Sequence, residues 1–225
     1  MLEIDQLARR YGASTVFEGV SLRLAAGEFV ALVGESGVGK STLLNCIAGL
    51  DRADAGRIVF GGTDLATLDD DGLALMRRQH IGFVFQAFHV LAHLPLGENV
   101  ALPLWLAGVG RSEGLARAEA ALASVGLAGL SGRWPAQLSG GQLQRVAIAR
   151  AVVHGPHLIL ADEPTGNLDP ATAAVVLGVL RAQVRDAGAA CLLVTHSAAA
   201  AALADRTLRL TPAGVSRSGA ARGGP

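Results

Sequence analysis

An apolar run, Phe29-Val30-Ala31-Leu32-Val33, passes without a polar break into Gly34-Glu35-Ser36-Gly37-Val38-Gly39-Lys40-Ser41-Thr42. A short, wholly apolar run predicts a parallel strand buried on both faces, and the residues beyond the glycines predict the start of a helix. Between a strand and a helix, the spacing G-x-x-x-x-G-K-S is that of a phosphate-binding loop. Its glycines let the backbone curl until its N–H groups and the helix N-terminus face an anion. Lys40 can then reach the β and γ phosphates of a nucleotide, and Ser41 can ligate Mg²⁺. This one stretch restricts the chain to an α/β fold with a parallel core sheet and a ligand beyond the carboxyl ends of its strands. Lys40 is also the one lysine among 19 Lys and Arg residues, so a compact charge on a flexible stem is kept at this position alone.

Two further apolar runs read as strands of the same sheet, Leu158-Ile159-Leu160-Ala161 and Cys191-Leu192-Leu193-Val194-Thr195. The first ends in Asp162-Glu163, a pair of carboxylates that repel each other unless a cation is present. Behind a phosphate loop, Asp162 is expected to hold Mg²⁺ through water and Glu163 to act as general base on the attacking water. The second run ends at His196. Ser139-Gly140-Gly141-Gln142 precedes a segment of helix-forming character, and small residues at a helix start make a further anion site.

The glycine-punctuated N-terminal part, with strand-like pieces such as Arg57 to Phe60, predicts antiparallel β structure beside the parallel sheet. From about residue 88 to 150 the pattern is helical, with Leu115, Ala118, Leu122 and Val125 on one face. Residues 211–225, poor in apolar side chains, predict a flexible tail. The 19 basic residues balance 19 acidic ones, so no global charge favours nucleic acid or an anionic lipid surface. No apolar stretch approaches the roughly 20 residues of a membrane span, and the first residues lack the pattern of a signal peptide. Cys46 and Cys191 form no metal-type pair and are expected in the core of a reduced, cytoplasmic protein.

Leu138 to Ala151, lying between the phosphate loop and the acidic strand, resembles the signature motif of ABC ATPases. The resemblance extends from Leu2 to about Leu210 and implies one ABC-type phosphate-loop NTPase domain over 1–210, with an antiparallel β subdomain and a helical subdomain. In it Gln86 is similar to the Q-loop glutamine that senses Mg²⁺ and water, Asn167-Leu168-Asp169 to the D-loop, His196 to the switch histidine and Tyr11 to the aromatic that stacks on adenine. The resemblance implies ATP and Mg²⁺ as ligands and a head-to-tail pair of domains. Ser139, Gly140, Gly141, Gln142 and Asp169 are then expected at the nucleotide, with Ser139 and Gly141 facing the phosphate loop of the other copy. It further implies ATP hydrolysis coupled to a separate membrane permease, and a peripheral place on the inner face of the cell membrane. Ala161 to Asp169 is most similar to the lipoprotein-releasing, macrolide- or peptide-exporting and cell-division ATPases. An exporter motor is therefore expected. A mechanical signalling ATPase is the alternative, and a soluble ABC ATPase is a more distant one. Two details complete these expectations: Lys40 exposed until phosphate binds, and Ala87 to Leu91 beside the permease docking groove.

Overall fold

A computed structural model of the chain describes residues 1–217. Strands β1 (Leu2–Tyr11) and β2 (Ser14–Leu24) form an antiparallel pair. The far edge of β1 takes β4 (Ala55–Phe60), which carries the short β5 (Thr63–Asp64), so this first sheet runs β2-β1-β4-β5. The second sheet contains β3 (Phe29–Val33), β6 (Ile81–Phe85), β7 (Leu158–Asp162), β8 (Ala190–Val194), β9 (Arg206–Thr211) and β10 (Gly214–Arg217), in the order β10-β9-β3-β8-β7-β6. Its pairs are parallel except for the β9–β10 hairpin.

Period-two alternation divides the side chains of the parallel strands between two apolar cores. Val30, Leu32, Leu158, Leu160, Leu192 and Val194 face the antiparallel sheet and α1 (Lys40–Ile47), meeting Leu43, Leu44 and Ile47 there. Phe29, Ile159, Ala161, Cys191 and Leu193 face the helices on the other side. These are α3 (Leu96–Leu106), α4 (Arg111–Ser124), α5 (Gly140–Val152) and α6 (Pro170–Ala187), and burial on both faces explains why the strands read as continuous apolar runs. Both cysteines are free and buried, and burial pushes the Cys46 thiol up to about 12, which leaves it unreactive.

Helix boundaries follow local capping chemistry. Asp69 accepts from the Gly72 N–H at the start of α2 (Asp70–His80). Ser139 and Gln142 form a reciprocal capping box on α5. Asp169 caps α6, which has Pro170 in its first turn and the left-handed Gly188 at its end. A final short helix, α7 (Ala198–Ala201), is capped by Ser197.

The flexible tail expected from residue 211 is overturned as far as residue 217. Pro212 and Ala213 make a turn into Gly214, at φ 123°, and β10 pairs back on β9. The Pro212 carbonyl accepts from the Glu18 N–H at 2.9 Å, so the hairpin is tied to β2. Low apolar content hid it because one side chain, Val215, reaches the core. The rest of the expected tail lies outside the described residues.

The helical part is held very close to β6. A Cβ added to Gly82 would lie 2.2 Å from the carbonyl oxygen of Ala151, at the end of α5. Gly82→Ala should therefore destabilise the fold by about 1–3 kcal/mol through overpacking. Gly178→Ala, in the interior of α6 with no atom near its Cβ position, should stabilise it by about 0.5–1 kcal/mol. Denaturant midpoints moving in opposite directions at unchanged slope are the expected result.

Candidate functional site

The phosphate-loop pattern turns sharply out of β3. Gly37 (φ 79°) and Gly39 (φ 98°) take up left-handed backbone. At Gly39 a Cβ would also stand 2.5 Å from Val16 of β2, so both conformation and space require glycine. Gly39 is the N-cap of α1 and provides no side-chain cap, which leaves the first N–H groups of the helix free for an anion. The Lys40 ammonium curls over the loop and donates to the carbonyl oxygens of Gly34 at 3.0 Å and Glu35 at 2.8 Å. The expectation of an exposed lysine is thus corrected: the residue is only 9% exposed, because the loop's own carbonyls solvate the ammonium.

Strand order brings the other candidates to this loop. Asp162 ends β7, Gln86 follows β6, and His196 follows β8. All three lie with Glu163 and with Ser36, Gly37, Gly39, Lys40, Ser41 and Thr42 around one open pocket. Gly34, Glu35 and Val38 complete the loop itself, with Glu35 and Val38 facing a neighbouring hollow beside Leu210.

Burial pushes the Asp162 carboxyl above the usual carboxylate range; a hydrogen bond from Ser41 opposes this, Glu163 adds to it and Lys40 opposes it. Its Oδ1 is buried and has no hydrogen-bond partner. An unmatched carboxylate oxygen beside the Ser41 hydroxyl and near the Gln86 amide is an all-oxygen donor set that fits a hard cation such as Mg²⁺. Glu163 stands in left-handed backbone at φ 46°, a conformation that costs a non-glycine residue on the order of 1–3 kcal/mol and gathers at functional sites. The kink is held by its N–H donating to the Val194 carbonyl at 3.0 Å. Its Oε1 lies 2.9 Å from His196 Nδ1, so carboxylate and imidazole form a hydrogen-bonded pair at the pocket's mouth.

Gln86 Nε2 donates to Asn167 Oδ1 at 3.0 Å, and Asn167 Nδ2 returns a bond to the Gln86 carbonyl at 3.3 Å. A Cβ at Gly166 would come within 2.8 Å of Gln86 Nε2. Gly166 and Asn167 were legible in the sequence only as parts of a motif; their hold on Gln86 was not.

The remaining candidates stand apart from this pocket. Tyr11, at the end of β1, is 53% exposed; its hydroxyl donates to Asp51 at 2.6 Å, and the Arg9 guanidinium lies 4.5 Å from its ring centre. Its hairpin does touch the loop, through Val16 against Gly39. Ser139, Gly140, Gly141 and Gln142 form the start of α5, where Gly141 packs under Thr172 of α6. Asp169 accepts from the Ala171 and Thr172 N–H groups, and hydrogen bonds from Thr172 hold its carboxyl below the usual range.

Because the folded protein keeps a proton on Asp162 to higher pH than an unfolded aspartate does, ionising this group costs stability as pH rises through the carboxylate range. Asp162→Asn removes that cost. Without metal or nucleotide, the variant's calorimetric unfolding midpoint at pH 7 should exceed that of the wild type, and the two should converge below the unfolded aspartate value of about 3.9. An equal or lower midpoint for the variant would show that the fold favours the ionised carboxylate.

Comparison with known proteins agrees with this geometry. The family model described as ABC transporter matches residues 17–166. The macrolide export ATP-binding/permease protein MacB of Escherichia coli (strain K12) is 46% identical over 214 residues, which is 93% of this chain and 33% of that protein. The MacB of Shigella flexneri matches to the same extent. This chain therefore spans about a third of the length of these relatives. Among solved structures, the dimeric ATP-binding cassette MJ0796 in a post-hydrolysis state with ADP and Pi superposes with a TM-score of 0.85 at 36% identity, covering 96% of this chain and 97% of that one. A second dimeric structure of MJ0796, described as a bacterial ABC transporter cassette, superposes at 0.86 with 37% identity and the same coverage. With its phosphate loop, acidic strand end and signature helix in these places, the chain belongs to the ABC transporter family of ATP-binding cassettes.

Proposed function

We propose that this chain is an ATP-hydrolysing cassette that drives a membrane transporter, with a second cassette and a membrane-spanning permease as its partners. The observation that carries the reading is the meeting of Lys40, the unmatched Asp162 oxygen and the strained Glu163–His196 pair in one pocket.

The loop N–H groups and Lys40 receive the β and γ phosphates, the ammonium exchanging the Gly34 and Glu35 carbonyls for phosphate oxygens. Mg²⁺ held by Ser41 and Asp162, with Gln86 nearby, would neutralise phosphate charge. Glu163 accepts a proton from water as the water oxygen bonds to the γ phosphorus; the bond to the bridging oxygen breaks, giving ADP and phosphate. His196 holds the Glu163 carboxylate in place and faces the γ phosphate. Tyr11 offers its exposed ring to the base.

A second copy accounts for the residues that stand apart. Ser139 to Gln142 and Asp169 do not line the pocket of their own chain, and a head-to-tail partner brings the start of α5, with Ser139 and Gly141, to the γ phosphate. ATP then joins two surfaces that neither chain satisfies alone, and hydrolysis parts them. MJ0796, described as dimeric, supports this arrangement.

Among the described residues no helix is long and apolar enough to cross a membrane, and the relatives carry permease in their name. The docking surface we assign lies beside α3: Phe83, Phe85, Leu102, Pro103 and Leu106 line an apolar groove, with Leu106 66% exposed. The groove adjoins the Ala87–Leu91 stretch, the Phe85 ring lying 4.7 Å from that of His89. A permease segment in it would hold the cassette against the inner face of the membrane, where export is the reading favoured by the relatives' names.

Glu163→Gln should lower ATP turnover by about 10² to 10⁴ while retaining binding, so that Mg-ATP yields a dimer on size exclusion. Ser139→Arg should abolish that dimer. Wild-type turnover in Glu163→Gln would move the base role elsewhere. Leu106→Glu should release the cassette from membranes that carry its permease with basal turnover unchanged; retention on the membrane would remove the groove from the docking surface.

A further inference from the structure

The segment after β6 contains two consecutive residues in left-handed backbone, Phe88 at φ 60° and His89 at φ 47°. Histidine enters this region more readily than most residues, but a bulky phenylalanine does so only at a cost, so the pair must be held there. Their N–H groups close local turns, Phe88 to the Phe85 carbonyl at 3.3 Å and His89 to the Ala87 carbonyl at 2.6 Å, and their own carbonyls are held from α5. Arg150 donates from Nη1 to the His89 carbonyl at 2.7 Å and from Nη2 to the Phe88 carbonyl at 3.0 Å. Six residues earlier on the same helix, Gln144 donates from Nε2 to the Phe85 carbonyl at 3.2 Å, while its fully buried Oε1 has no partner. The far end of the segment is fixed by Asn99 of α3, which accepts from the Leu91 N–H at 2.7 Å.

Three side chains of the helical part therefore grip the main chain on both sides of Gln86, whose own side chain is left to face the phosphate pocket. Arg150 is the unusual member. It is partly buried, desolvation holds its guanidinium below the ordinary range, and among the described residues no carboxylate lies within ion-pairing distance. A partly desolvated cation without an acid is costly unless backbone oxygens replace the water it loses. Here those oxygens belong to the strained residues, so the guanidinium and the strain stabilise each other. Arg150 also lines the groove formed by Phe83, Phe85 and Leu106. One side chain thus touches both the candidate docking surface and the loop that carries Gln86.

Resting on the ATPase reading above, we propose that Arg150 is a positioning residue: through the Phe88 and His89 carbonyls it sets the loop that presents Gln86 to the phosphate pocket, and it links that loop to the groove. A residue that acts this way alters the chemical step more than nucleotide binding, and its effect vanishes when Gln86 is already gone.

The test uses the full chain with Arg150→Met, Arg150→Lys, Gln86→Ala and the Arg150→Met/Gln86→Ala double variant. Amide hydrogen exchange without nucleotide should show faster exchange over residues 87–90 in Arg150→Met, with β6 unchanged. For Mg-ATP turnover, Arg150→Met should lose about ten- to a hundredfold in kcat with KM within about twofold, as a small misplacement of a positioning group does. Arg150→Lys, whose ammonium can reach one carbonyl, should recover part of it. The double variant should be no slower than Gln86→Ala alone. Unchanged exchange, or losses that multiply in the double variant, would overturn the proposal. If the wild type fails to turn over ATP, the ATPase reading falls by itself, and the exchange profile still decides whether Arg150 holds the loop.

Discussion

One hydrogen-bonded row across the parallel sheet sets the level of the site. Leu32 pairs with Val194, Val194 with Asp162 and Asp162 with Phe85, so β3, β8, β7 and β6 are in register along a single line. Parallel strands all end at the same edge, and the residues just past that line are the phosphate loop, His196, Glu163 and Gln86. A slip of one residue in any pair would turn alternate side chains to the wrong face and exchange one apolar core for the other. Burial on both faces makes such a slip costly. The position of the chemistry is thus secured by the ordinary apolar packing of the strands that lead to it.

Charge is admitted to this edge sparingly. Lys40 is solvated by its own loop, Glu163 by its pairing with His196, and Asp162 retains an oxygen with no partner. A folded edge that carries an unmatched carboxylate and a left-handed glutamate is less stable than it need be. Such residues persist where function offsets the cost, and the unmatched Asp162 oxygen is a deficit of the kind that a cation would satisfy.

The signature helix α5 joins two parts of this arrangement. Its first turn is capped by its own Ser139 and Gln142, its middle and end reach the loop after β6 through Gln144 and Arg150, and its last carbonyls press on Gly82. The helical part is therefore bound to the strand and loop that deliver Gln86. Motion of α5 against the sheet would be felt first at Gln86.

The sequence alone determined what is local. The strand at Phe29–Val33, the loop and helix after it, the acidic end of β7 and the helix start at Ser139 all follow from side-chain periodicity, glycine spacing and capping within a few residues. Those signals suffice because strand burial, phosphate cradling and helix capping each require particular residues at fixed short spacing. Only the tertiary structure decided which distant groups meet: Gln86 with Asn167, Tyr11 with Asp51 and Arg9, Arg150 with Phe88 and His89, and the Pro212 turn with β2. It also placed Lys40 against carbonyls where exposure was expected, and folded residues 214–217 into a strand where a tail was expected. These outcomes depend on contacts between residues far apart in the chain, Glu18 and Pro212 being the most distant pair. Which hydrogen-bond partner lies opposite a given side chain is fixed by strand order and packing, and residue spacing along the chain carries no record of it.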